Sequence, residues 1–70
     1  MTTEEKAREI NYLMYEDVDD EYIALVLSIK VIKEILKVAF YTNQDLYDFY
    51  TNVRLILEEQ KKDYEIKYIK

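Results

Sequence analysis

Apolar residues recur at helical spacing in three successive stretches, and the breaks between them are polar. Ala7, Ile10, Leu13 and Met14 share one side of a 3.6-residue period, while Glu5, Glu9, Tyr12 and Glu16 point the other way. The spacing predicts helix 1 over about 3–15, opened by Thr2 and Glu5 as a T-x-x-E capping box. Helix 2 is expected over about 20–41, with Asp19 as its N-cap and Val18 stapled onto Ile23. Helix 3 is expected over about 43–65, with Thr42 or Asn43 at its start and Tyr41 stapled onto Leu46.

Helix 2 carries more apolar surface than one neighbour can cover. Tyr22, Leu25, Ile29, Ile32, Leu36 and Ala39 keep a heptad seam, and Leu27, Val31, Ile35 and Val38 form a second ridge. Lys30, Lys33, Glu34 and Lys37 confine the polar side to an arc of about 100°. This helix is therefore placed between the other two. On helix 3, Leu46, Phe49, Tyr50, Val53, Ile56 and Leu57 make the buried stripe, extended by Gln60, Tyr64 and Tyr68. Glu58 with Lys62 and Asp63 with Lys67 stand at i, i+4. In the final YEIKYIK, apolar and charged residues alternate at strand period, but no partner edge exists, and a fraying helix is the expectation for 64–70.

The fold class is all-α, one domain over 1–70: a three-helix bundle with a short helix 1, a central buried helix 2 and a long helix 3. A competing arrangement merges helices 2 and 3 into one rod and exchanges helices across a dimer. The tetrapeptide FYTN occurs at 40–43 and again at 49–52. The first copy reads as the junction between helices and the second as mid-helix.

Composition sharpens this reading. Gly and Pro are absent, where average usage gives about 5 and about 3–4 at this length. Tight hairpins and phosphate-cradling loops rely on glycine, so β-meanders and nucleotide loops are disfavoured. With no Cys and no His, disulfides, thiolate metal sites and conventional nucleophile–base triads have no material. Ser28 is the only serine; its apolar surroundings point to a hydroxyl bonded back to the carbonyl of Ala24. No enzyme activity, metal or cofactor is expected.

The net charge of −5 is uneven: residues 1–21 carry −6, residues 22–42 carry +2 and residues 43–70 carry −1. The acidic patch is Glu16, Asp17, Asp19, Asp20 and Glu21. It lacks the glycine of a calcium-binding EF-hand loop, and it reads as a solvated cap on helix 2. Lys30, Lys33 and Lys37 alone make a weak footprint for phosphate, so no direct nucleic-acid binding is expected. No apolar run reaches the ~18–20 residues of a membrane span, and a cytoplasmic location is expected.

Tyrosine supplies eight of the seventy residues, a surplus of the kind found at protein interfaces. Tyr22, Tyr50 and Tyr64 fall on core stripes. Tyr12 lies opposite the helix 1 core, and Tyr47, Thr51 and Leu55 form an off-stripe ridge on helix 3. These four are the candidate protein-interface residues. The functional expectation is a small helical protein-binding module, a regulator or inhibitor of the kind low-GC bacteria or mobile elements encode. It would occlude a protein partner or pair with itself as a homodimer. The alternatives are an acidic nucleic-acid mimic acting through residues 16–21 and a purely structural oligomer subunit.

Overall fold

The computed structural model describes residues 1–69. Three helices, α1 (Thr3–Val18), α2 (Glu21–Thr42) and α3 (Gln44–Tyr68), pack mutually into an antiparallel bundle 38 Å long. Because α1 also touches α3, the arrangement is triangular; α2 is not simply a middle layer between the other two.

Local chemistry sets each boundary. At the start of α1, Thr2 Oγ1 accepts from the Glu5 N–H at 3.1 Å and Glu5 Oε1 accepts from the Thr2 N–H at 2.9 Å, the reciprocal capping box. The α1–α2 turn is tighter than the spacing predicts. Helix 1 continues to Val18, and Asp19 closes it in the left-handed conformation (φ 51°), its N–H donating to the Tyr15 carbonyl. Aspartate is among the few residues other than glycine that tolerate this region. The N-cap of α2 is consequently Asp20, whose Oδ1 accepts from the Ile23 N–H, and not Asp19. The expected Val18–Ile23 staple is lost with that shift, and Ile23 is exposed.

At the second turn Asn43 is extended (φ −159°, ψ 111°), and its Oδ1 accepts from the Leu46 N–H at 3.1 Å. It alone separates α2 from α3, so they are two helices and not a merged rod. Asn43 takes the capping role, and the Thr42 hydroxyl instead donates to the Val38 carbonyl. The chain stays helical through Tyr68, removing the strand alternative for the described part of 64–70; Lys70 lies outside the described residues.

The core is the heptad seam of α2 meeting α1 and α3. Leu25, Ile29, Ile32 and Leu36 join Ala7 and Ile10 of α1 and Val53 and Leu57 of α3. Ser28 is fully buried, and its hydroxyl donates to the Ala24 carbonyl at 2.7 Å, as the sequence implies. Leu13 departs from expectation. It is 51 % exposed, because α1 buries only Ala7 and Ile10, with Met14 half-buried on the same line, and Leu13 falls beyond its edge.

Candidate interaction surface

A difference in helix length leaves an apolar open surface. At ~1.5 Å per residue, α1, α2 and α3 span about 24, 33 and 38 Å. The tight turn at Asp19–Asp20 aligns α1 and α2 at that end, so α1 runs out roughly six residues before α2 does. Past the start of α1, no helix among the described residues covers the α2–α3 pair. An open groove of about 420 Å³ lies there, lined by Ile35, Val38, Ala39, Thr42 and Leu46, with Glu34 its one charged wall. No α1 residue reaches it. Val38 is 65 % and Leu46 48 % exposed.

Aromatic rings crowd the same end. Phe40 stands edge-on to Tyr41 (5.0 Å between centroids) and to Tyr47 (5.8 Å), and Tyr41 is 83 % exposed. With Asn43 as the cap, the staple positions fall on Thr42 and Tyr47 and not on Tyr41 and Leu46, both of which are exposed. A second aromatic group lies toward the other end of the bundle. Tyr22 stacks on Tyr64 at 5.6 Å, Tyr64 contacts Tyr68 at 4.7 Å, and the Tyr22 hydroxyl donates to Glu65.

The structure separates the four residues singled out as an interface. Tyr12 (63 %) and Leu55 (58 %) are exposed, on α1 and on the outer side of α3. Tyr47 is half-buried, packed against the core and against Phe40. Thr51 is half-buried, its hydroxyl donating to the Tyr47 carbonyl at 2.7 Å. The buried arc of α3 is wide because it faces two helices, and Tyr47 sits on the edge toward α2. Reading α3 against a single stripe misses that.

Charge is also sorted by the fold. Lys30 and Lys33 of α2 face Lys61 and Lys62 of α3 across a groove with Glu58 and Glu65, and Lys33 continues beside Lys37 and Arg54 into the aromatic end. Folding thus joins three bases of α3 to the three lysines visible on α2. Among the described residues Lys37 pairs with Glu34 (3.1 Å), Arg54 with Glu58 (3.3 Å) and Lys61 with Glu65 (3.3 Å). The pair of Arg54 with Glu58 takes the place of Glu58 with Lys62. Glu65, bonded by Tyr22 and Lys61, is held below its ordinary pKa, and the Tyr22 hydroxyl is pushed up, chiefly by that same bond.

The acidic patch occupies the α1–α2 turn. Glu16 and Asp17 end α1, Asp19 and Asp20 cap the two helices, and Glu21 lies in the first turn of α2, where the helix dipole favours negative charge. Asp19, by its charge and a hydrogen bond, raises the pKa of Tyr15. Among the described residues no three acidic side chains converge as a metal centre requires, and no helix is long and apolar enough to cross a membrane. No protein-family model, curated protein or solved structure matches the chain.

Proposed function

We propose that the protein is a non-enzymatic helical binding module whose working surface is the free end of the α2–α3 hairpin. It acts by covering an apolar patch on a protein partner and so occluding it. The observation that supports this reading is the open groove lined by Ile35, Val38, Ala39, Thr42 and Leu46, with aromatic rings beside it. A monomer gains nothing from Val38 and Leu46 left in water, whereas a partner that covers them removes apolar surface at about 25 cal/mol per Å². The tyrosines beside the groove suit the rim, where a ring can be covered while its hydroxyl stays wet.

The test is affinity capture from the lysate of the cell that makes the protein, comparing the wild-type chain with Val38→Glu/Leu46→Glu. Val38 is mostly and Leu46 about half in water, so the variant is expected to keep its helicity and lose the captured proteins. Capture that is indifferent to the double substitution contradicts the reading.

A further inference from the structure

Val26, Ile29, Lys33, Leu36 and Phe40 follow one another along α2 at the alternating three- and four-residue spacing of a heptad line. In the fold this line runs along the charged groove between α2 and α3. Val26, Ile29 and Lys33 line its basic part, Lys33, Leu36 and Phe40 line its aromatic part, and no α1 residue lines either. From Val26 to Phe40 the line is about 21 Å long, or four turns of helix. We propose that this groove docks an acidic amphipathic helix of a partner protein, with apolar side chains toward both ends and a carboxylate in register with Lys33. The surface is distinct from the apolar groove, since no residue lines both.

Charge complementarity sets the chemistry of the occupant. Six bases and two acids line the groove, leaving +4 there on a chain whose net charge is −5. The two acids are already engaged, Glu58 by Arg54 and Glu65 by Lys61. Among the described residues Lys30, Lys33 and Lys62 have no ion-pair partner. Three cationic heads on two facing walls therefore stand ready for carboxylates from outside. A phosphate backbone fits less well, because it carries a charge on every nucleotide and would meet Glu58 and Glu65 as well as the acidic balance of the whole chain.

The position of Lys33 sets the register. It stands between apolar neighbours on its line and belongs to both parts of the groove. An apolar side chain laid over it would strip water from an ammonium group and give nothing in return, whereas a carboxylate converts the same burial into an ion pair. A single polar residue in a heptad line fixes the register of coiled coils in this way. Val26 is half-buried and Phe40 is 63 % exposed, so each end of the line offers apolar surface to a helix that has Lys33 at its middle. Two antiparallel helices with such a line between them present the groove into which another helix packs.

Fluorescence anisotropy with a dye-labelled helical peptide of about four turns tests this. The peptide carries leucines at the outer heptad positions, a glutamate at the central one and glutamates flanking the line. At low salt it should bind the full chain about ten-fold or more tightly than its glutamine counterpart, and the difference should shrink as salt is raised. Lys33→Glu, an exposed site whose substitution should leave far-ultraviolet circular dichroism unchanged, should weaken binding by a similar factor. A peptide with lysine in place of the central glutamate should then bind Lys33→Glu better than it binds the wild type. Val38→Gln/Leu46→Gln, which leaves the net charge alone, should bind the original peptide as the wild type does. Equal binding of the glutamate and glutamine peptides, or a charge swap that restores nothing, overturns the proposal. So does loss of the peptide in Val38→Gln/Leu46→Gln, which would assign it to the apolar groove, or tighter binding of an oligothymidylate of equal charge, which would make phosphate the recognised chemistry. The capture experiment decides the apolar groove independently of these outcomes.

Discussion

Leu55 and Leu57 are the same residue type two positions apart on α3, and the structure assigns them opposite roles. Leu57 is fully buried against α1 and α2, whereas Leu55 faces solvent on the far side. Leu57→Ala removes three buried carbons, worth about 0.8 kcal/mol each in transfer. The residual cavity adds about 24 cal/mol per Å³, so a void of ~50–80 Å³ contributes a further ~1–2 kcal/mol. The total of about 3.5–4.5 kcal/mol is close to the whole stability of ~3–5 kcal/mol that a single core supplies at this size. Leu55→Ala is expected to stay within about 0.5 kcal/mol.

Urea titration followed by far-ultraviolet circular dichroism reads both variants. Leu57→Ala should be substantially unfolded before denaturant is added, and Leu55→Ala should superimpose on the wild type. Titrations at two protein concentrations separate folding from association, because a dimer makes the midpoint depend on concentration. Equal losses in the two variants would refute the azimuth of α3 on which every surface assignment rests.

Two further outcomes follow from the turns and the ion pairs. Asn43→Ala removes the side-chain acceptor for the Leu46 N–H and should lower stability by about 1 kcal/mol, measured by the same titration. Glu65, whose folded pKa is depressed by Tyr22 and Lys61, contributes stability that is present above its ordinary value of 4.5 and lost as pH falls through the lower folded value. Thermal melts of Glu65→Gln and wild type between pH 7 and about pH 3 should therefore converge on acidification. A gap that stays constant with pH contradicts that linkage.

The helix count and the identity of the core were legible because apolar spacing and capping chemistry agree. The Thr2–Glu5 box, the heptad seam of α2 and the back-bonded Ser28 each follow from local rules. The turns were harder. At 19–20 two adjacent aspartates can each cap α2, and only the left-handed conformation of Asp19 decides that the first closes α1 while the second opens α2. At 42–43 threonine and asparagine compete in the same way, and the threonine hydroxyl has a helical carbonyl within reach while the asparagine does not share it.

The surface was least legible, since exposure depends on how far a neighbouring helix extends and at what angle. Leu46 satisfies the stripe of α3 and Val38 the second ridge of α2, yet Val38 is mostly and Leu46 about half exposed, beside a groove that no α1 residue reaches. Tyr47 reads as peripheral and is half-buried because α3 faces two helices. Arg54, Lys61 and Lys62 meet the α2 lysines only once the two helices are placed side by side.

The central claim is that the free end of the α2–α3 hairpin is an association surface left open by a short α1. Proton–nitrogen correlation spectra of the uniformly labelled protein, recorded with and without the protein captured by the wild-type chain, test it residue by residue. The account predicts that the amides that change cluster at Ile35, Val38, Thr42 and Leu46, with Tyr12 and Leu55 unmoved. Changes centred on Tyr12 or Leu55 would contradict it.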